Sequence, residues 1–299
     1  MATYETAEDQ YITIRNVKYA YRHFGAPTGT PLFLHMHFRG TMDHWDPTFI
    51  NPLASRRPIL LLDNAGVGRS EGTIPTSYSC WAFVVIDFLL ALKVDQVDVL
   101  GFSMGGCTAQ MIALNAPKGL VRRLVLAGTM TSVGEGTVRA PDIGPFNLIR
   151  TAVTKEEQLQ GFLTSFFGPS ERSQAAGRAS FGRIYAARKD RTDYVSVEDA
   201  ARQGLTYANF QDPEKKADGS YERFHELTMP VLIANGNEDV LLPTPNSILM
   251  FQKLQNANAQ LHLYPDSGHG FLYQYAAEFS KLVNDFLDDE DLTPVSSHL

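Results

Sequence analysis

The chain has 299 residues, of which 44% are hydrophobic and 20% charged, and its net charge at pH 7 is −7. This balance argues against a disordered chain, and the acidic charge without a basic stripe argues against a nucleic-acid-binding surface. The length suits one large α/β domain, or a core with an insertion.

The amino terminus lacks the features of a secretory signal. Residues 1–10 contain neither a positive segment nor an apolar one, so we expect an intracellular protein. The longest apolar stretch, residues 80–92, is interrupted by Asp87 and falls short of the roughly 20 residues of a membrane span. It predicts a buried helix. Cys80 and Cys107 lie in apolar helical patterns and are expected to be reduced core thiols.

The last three residues, Ser297, His298 and Leu299, resemble the peroxisomal address Ser-Lys-Leu. An import receptor would then be a partner of this tripeptide. The alternative is coincidence and a cytoplasmic protein.

Strand and helix patterns alternate over most of the chain. Alternating residues predict a β-hairpin over residues 11–15 and 17–23, and apolar runs then alternate with helical patterns. Such alternation favours a mostly parallel sheet covered by helices on both faces. The predicted strands are residues 32–36, 58–62, 97–100, 124–127, 231–234 and 261–264. The predicted helices between them are residues 78–93, 104–115, 244–254 and 271–287.

Between these strands lies a long segment with helical patterns only, residues 131–228. Its predicted helices are residues 155–167, 171–188, 196–210 and 221–227. Because strands resume at Val231, the segment is interpreted as an insertion. We predict a core of residues 1–130 and 229–299 with a helical cap, residues 131–228, over the carboxyl edge of the sheet.

Residues 97–106 read Val-Asp-Val-Leu-Gly-Phe-Ser-Met-Gly-Gly, a strand that runs through Gly-x-Ser-x-Gly into a helix. This is the pattern of a nucleophile elbow, in which a serine stands on a sharp strand-to-helix turn. Gly101 and Gly105 would keep that turn free of clashes. Ser103 is therefore the candidate nucleophile.

A serine hydroxyl needs a base, and the base needs an orienting acid. Asp239 follows the predicted strand 231–234, and His269 follows the predicted strand 261–264. Both therefore fall at the sheet edge where open α/β sheets place their sites. Alternatively, Asp239 is a turn-forming carboxylate and His269 a solvated loop residue, while Glu238 competes for the role of the acid.

Four segments together resemble the α/β-hydrolase fold family over nearly the whole chain. They are the Gly-Phe-Ser-Met-Gly-Gly elbow, the turn at residues 62–70, the acid loop 236–243 and the Asp-Ser-Gly-His-Gly run at 266–270. The resemblance implies Ser103 as nucleophile, Asp239 as orienting acid and His269 as base. It also implies the inserted cap.

Enzymes of this family stabilise an oxyanion with two backbone N–H groups. By the resemblance, the residue after the nucleophile, Met104, supplies one of them. The loop after the third strand, residues 35–40, lacks the usual His-Gly pair, and we assign the second donor to Phe38. His37 would brace this loop.

Two cofactor interpretations are weighed and rejected. His35, His37 and His44 with Asp43 and Asp46 suggest a metal site, but their spacing is not that of binuclear hydrolases, and a serine mechanism needs no metal. The glycine-containing turn at residues 66–71 has glutamate where a dinucleotide fingerprint needs glycine. We expect neither metal nor cofactor.

The family members that act on haloalkanes and epoxides use aspartate as nucleophile, so Ser103 favours acyl transfer to water. We predict a hydrolase of a small to medium apolar ester, thioester or lactone. The alternatives are a carbon–carbon bond hydrolase, a cofactor-free haloperoxidase or perhydrolase with the same three residues, and a slowly hydrolysing ligand receptor. Five apolar residues are predicted to line the substrate pocket, with core packing as the alternative: Trp45, Phe162, Phe166, Phe167 and Leu242.

Overall fold

The structure is a computed structural model that describes residues 1–294. The predicted address Ser297, His298 and Leu299 lies outside the described residues. Within the described part, no helix is long and apolar enough to cross a membrane.

One eight-stranded sheet forms the centre of the molecule. Its strands are β1 (Gln10–Ile14), β2 (Val17–Gly25), β3 (Leu32–His35), β4 (Pro58–Leu62), β5 (Val97–Phe102), β6 (Val121–Ala127), β7 (Val231–Gly236) and β8 (Ala259–Tyr264). The spatial order is β1-β2-β4-β3-β5-β6-β7-β8, in which β1, β2 and β4 pair antiparallel and all other neighbours pair parallel. The predicted mostly parallel sheet is thus confirmed.

Helices cover both faces of the sheet. The core helices are α1 (Pro47–Ala54), α2 (Tyr78–Ala91), α3 (Met104–Asn115), α8 (Pro245–Lys253), α9 (Phe271–Gln274) and α10 (Ala276–Asp288). Leu100 of β5 packs in one apolar cluster with α1 and α10, and the preceding Val99 packs in a second cluster with α2 and α3. This alternation buries both sides of the central strand, as a sheet between two helical layers requires.

Between β6 and β7 the described chain contains helices and no strand. The α-helices are α4 (Gly144–Thr151), α5 (Lys155–Phe166), α6 (Glu171–Ala186) and α7 (Val197–Phe210), followed by 3-10 helices at Pro213–Asp218 and Phe224–Glu226. We call residues 131–228 the helical insertion. Its predicted helix at residues 221–227 is wrong in type, since only the short 3-10 turn forms there.

Two further expectations need correction. The predicted helix over residues 271–287 is two helices, because the backbone of Tyr275 leaves the helical region at φ −112° and ψ 41°. Cys107 is buried, but Cys80 is exposed, so it is not a core thiol. Cys80 lies on the outer face of α2, which is apolar on almost every side and therefore gave no signal of which face is buried.

Candidate active site

Ser103 stands on a tight turn between β5 and α3. Its backbone is strained, with φ 60° and ψ −121°, and it is held by a hydrogen bond from its own N–H to the Ala127 carbonyl (2.8 Å). A Cβ atom on Gly101 would lie 2.2 Å from the Gly105 carbonyl oxygen, and one on Gly105 would lie 2.2 Å from the His35 carbonyl oxygen. The two glycines therefore allow the close approach that lifts the serine.

Asp239 is buried in the loop after β7 and makes three hydrogen bonds. Its Oδ1 accepts from the backbone N–H groups of Leu241 (2.8 Å) and Leu242 (2.9 Å), and its Oδ2 lies 2.7 Å from His269 Nδ1. The backbone bonds fix which carboxylate oxygen faces the imidazole. Glu238, the competing acid, is exposed and makes no such contact.

His269 lies in the loop after β8 and its side chain is fully buried. The rings of Phe102 and Phe166 pack against it, with centroids 5.0 and 5.1 Å away. Within the described chain, its Nε2 has no hydrogen-bond partner and does not bond Ser103. Both residues line the same cavity, and such bonds often tighten only when substrate binds.

The glycines on either side of His269 allow the helical insertion to touch this loop. A Cβ atom on Gly268 would lie 2.9 Å from the Phe166 carbonyl oxygen, and a Cβ atom on Gly270 would lie 2.9 Å from the Cβ of Phe166. The Gly270 N–H donates to the Phe166 carbonyl (2.6 Å). The end of α5 is thus anchored next to the imidazole.

Two backbone donors at the cavity are free of protein acceptors. Among the described residues, the N–H groups of Phe38 and Met104 make no hydrogen bond, and both residues line the cavity. His37 Nδ1 lies 2.8 Å from the Phe38 carbonyl oxygen, so its N–H donates there. Burial lowers the pKa of His37 to about 4, and the neutral ring therefore braces the loop.

The helical insertion holds Arg39, the next residue of this loop, through both its backbone and its side chain. The Arg39 N–H donates to Gln203 Oε1 (2.8 Å), and its carbonyl accepts from the Val195 N–H (2.9 Å). The buried guanidinium donates to the carbonyls of Val195 (2.6 Å), Ile149 (2.8 Å) and Ala152 (2.8 Å). The last two carbonyls lie at the carboxyl end of α4, which suits a cation.

A cavity of about 460 Å³ joins these groups. It lies between the carboxyl ends of the strands and the helical insertion and is lined mainly by apolar side chains. Among its described lining residues, Arg139 is the one lysine, arginine, aspartate or glutamate, and no ion pair or hydrogen bond of Arg139 forms in the described part of the chain. A small, mainly apolar molecule fits such a site.

The five predicted pocket residues separate into two groups. Phe166 and Leu242 line the cavity. Trp45 packs against Phe49 in the core (5.9 Å between centroids), and Phe162 and Phe167 pack on each other (5.2 Å). These three do not line the cavity. The two phenylalanines belong to the aromatic spacing of α5, which serves core packing equally well, and Trp45 lies in the turn before α1.

The histidine and aspartate cluster near residues 35–46 is used for other contacts. Asp43 pairs with Arg69 (2.7 Å), Asp46 pairs with Arg183 (2.7 Å), and His44 packs on Tyr194 (3.9 Å between centroids). The described part of the chain holds no group of three histidine, cysteine or acidic side chains arranged to bind a metal.

Sequence reasoning missed Gln203 and Arg139. Gln203 lies on α7 and reaches Arg39 across 164 positions of the chain. A single glutamine in an amphipathic helix gives no signal of such a contact. Arg139 precedes α4 in a loop without periodicity.

We expect the free energy of unfolding to fall as the pH drops from about 6.5 to 4. Burial lowers the pKa values of His35 and His37 to about 4 and that of His44 well below its usual range. The unfolded chain binds protons at these rings below about pH 6.5 and the folded chain does not, so acid favours unfolding by about 1.4 kcal/mol per pH unit for each histidine. Asp63, whose pKa burial raises to about 6, acts in the opposite direction and offsets about one histidine.

Urea unfolding at pH 7.5, 6 and 5 measures this slope. His37→Gln removes one of the titrating rings, so the free energy of unfolding should change less steeply with pH, by about 1.4 kcal/mol per pH unit. His23→Asn, at an exposed position of β2, should leave the pH dependence unchanged. A slope that His37→Gln does not alter would contradict the assignment.

Comparisons with known proteins agree with this fold. A model of the alpha/beta hydrolase fold family matches residues 30–274. A 2-hydroxymuconate semialdehyde hydrolase of Pseudomonas sp. (strain CF600) is 28% identical over 254 residues, covering 82% of this chain and 81% of that protein. Serine hydrolase BPHL of Mus musculus is 28% identical over 205 residues, which cover 68% of this chain and 58% of that protein.

A solved structure, an alpha/beta hydrolase fold protein from Chitinophaga pinensis, superimposes with a TM-score of 0.85 at 33% identity. The match covers 96% of this chain and 100% of that one. The chain therefore belongs to the α/β-hydrolase fold family.

Proposed function

We propose that this hydrolase cleaves a small to medium apolar ester, thioester or lactone through an acyl-enzyme on Ser103. His269 is the base, Asp239 is its orienting acid, and the N–H groups of Phe38 and Met104 form the oxyanion hole. The helical insertion acts as the cap that closes the substrate cavity.

One observation carries the proposal. His269 Nδ1 is bonded to Asp239 at 2.7 Å, while its Nε2 is unpartnered within the described chain and the ring lines the same cavity as Ser103. The carboxylate accepts a hydrogen bond from Nδ1–H, so the ring proton stays on Nδ1 and the lone pair of Nε2 is left to take a proton. That tautomer is the one a serine nucleophile needs.

The reaction follows from these positions. Ser103 Oγ attacks the carbonyl carbon while His269 Nε2 takes the hydroxyl proton, and the negative charge forms on the carbonyl oxygen next to the two backbone donors. The tetrahedral intermediate collapses, and the imidazolium gives its proton to the leaving oxygen or sulfur. A water molecule then attacks the acyl-enzyme with His269 again as base, which releases the acid and frees Ser103.

The second candidate is hydrolysis of a carbon–carbon bond with the same three residues. The similarity to the Pseudomonas 2-hydroxymuconate semialdehyde hydrolase favours it, as does Arg139. This cation at the cavity is free to pair with a carboxylate. Parallel assays with a p-nitrophenyl ester and a 2-hydroxy-6-oxodienoate separate the two candidates by which substrate is turned over.

We expect a fluorophosphonate probe to label the protein at Ser103 and to abolish turnover of p-nitrophenyl butyrate. The hydroxyl in this strained turn is the group that the proposed base activates. Intact-mass measurement should show one adduct, and peptide mapping should place it on Ser103.

Ser103→Ala should remove both labelling and turnover, and Ser55→Ala, at an exposed position after α1, should retain both. Equal labelling of the wild type and Ser103→Ala would contradict the proposal. Labelling with negligible turnover of both the ester and the dienoate would favour the receptor alternative.

A further inference from the structure

Gln203 combines deep burial with a free donor. Its side chain is 1% exposed, and it lines the cavity together with Phe38, Met104 and Ser103. Its Oε1 accepts the Arg39 N–H at 2.8 Å. In the described chain, its Nε2 makes no protein hydrogen bond, although a buried amide normally uses both ends.

The bond to Arg39 fixes the orientation of this amide. An N–H donor can bond only the carbonyl end, so Oε1 faces the loop and the NH₂ group is left for another acceptor. The Nε2 atom is not one of the fully enclosed unpartnered atoms, so it is accessible to a small molecule. A ligand that supplies an oxygen at this point would satisfy it.

The position of the free donor suggests which oxygen that is. Gln203 bonds Arg39, the residue after Phe38, and it also lines a small pocket with Met104 below the cavity. Phe38, Met104 and Gln203, each with an unused N–H group, therefore line one cavity together with Ser103. Several donors beside a nucleophile suit an oxygen that becomes negative during the reaction.

We propose that Gln203 is a third oxyanion donor, which gives its Nε2–H to the carbonyl oxygen of the substrate as the tetrahedral intermediate forms. This inference rests on the proposed function. It implies that the helical insertion takes part in the chemistry, since α7 supplies a donor and the same side chain positions the oxyanion loop through Arg39.

Two substitutions separate the donor from the loop contact. Gln203→Glu keeps an oxygen for the Arg39 N–H but removes the donor, and Gln203→Met removes both. Loss of one oxyanion donor lowers kcat by about 10²–10³-fold. We therefore expect kcat for p-nitrophenyl butyrate to fall about 100-fold or more in both variants, with a much smaller change in KM.

The pH profile of Gln203→Glu gives a second readout. Burial raises the pKa of a glutamate, and the protonated form is again a donor. The ratio of kcat in Gln203→Glu to kcat in the wild type should therefore rise as the pH falls from 8 to 5.5, while the ratio for Gln203→Met stays flat. Gln252→Glu, at an exposed position of α8, is the control and should match the wild type throughout.

A Gln203→Glu variant with wild-type kcat, alongside an impaired Gln203→Met, would overturn the donor role and leave only the loop contact. Wild-type kcat in both would overturn the inference altogether. These outcomes are distinct from failure of the proposed function, in which the wild type itself would be neither labelled at Ser103 nor active.

Discussion

Replacing Asp239 by asparagine should lower kcat by about 10⁴-fold and leave the fold intact. The Asp239 Oδ1 accepts the Leu241 and Leu242 N–H groups, so an asparagine must keep its oxygen there and turn its NH₂ group toward His269. That group donates to Nδ1 and forces the imidazole proton onto Nε2. The ring could then no longer accept the Ser103 proton.

Glu238→Gln is the matched control, since it makes the same chemical change one residue away. Glu238 is exposed and does not contact His269, so kcat should stay within about two-fold of the wild type. Circular dichroism and unfolding curves would establish that both variants are folded. The reverse pattern, with Glu238→Gln inactive and Asp239→Asn active, would reassign the acid.

The sequence predicts secondary structure best where an element is buried along its whole length and is therefore apolar at every position. The strand at residues 58–62 has its predicted bounds, because an apolar run with no polar face has few alternatives in an α/β chain. Helix α4 was not predicted. It has only eight residues, starts at a Gly-Pro pair, which is a turn signal, and buries no residue fully.

The positions of the candidate residues along the chain could be predicted, but the lining of the cavity could not. Motifs place Asp239 and His269 after neighbouring strands, and the parallel sheet then brings them to one edge. Whether an aromatic residue lines the cavity or fills the core depends on how helices pack, which is why Phe166 and Phe162, four positions apart on α5, differ. The bond from Gln203 to Arg39 depends on the position of α7, which no local pattern encodes.

A buried cluster of charges attaches the helical insertion to the core, and Asp43 is its centre. Asp43 Oδ2 accepts from Arg69 (2.7 Å) and from the Thr192 N–H (2.7 Å), and Oδ1 lies 2.7 Å from Arg22. The Arg22 contact is close enough for an ion pair but is not aligned as a hydrogen bond. The side chains of Asp43 and Arg22 are both fully buried.

Burial alone would raise the pKa of the Asp43 carboxyl, but the Arg22 and Arg69 guanidinium groups and the Thr192 N–H hold it well below its usual range. The carboxylate is therefore the charged form that the cluster requires. Removing its charge leaves the fully buried Arg22 with Asp9 as its remaining partner (2.6 Å).

We expect Asp43→Asn to lower the free energy of unfolding by about 3–5 kcal/mol, because removing one partner of a buried ion pair leaves an excess of buried positive charge. Asp87→Asn removes the partner of Arg15 in a pair whose arginine is 79% exposed, and should cost less than about 1 kcal/mol. Urea unfolding at pH 7.5 compares the two variants. Similar losses in both would show that the buried cluster contributes little.

The same substitution should loosen the insertion locally. The Thr192 amide donates to Asp43 and belongs to the loop between α6 and α7. Helix α7, which follows this loop, carries Gln203. Its hydrogen exchange should accelerate in Asp43→Asn, while exchange in β5 should follow only the global loss of stability. Because Gln203 depends on the same attachment, kcat should fall more steeply in Asp43→Asn than in Asp87→Asn at a temperature where both remain folded.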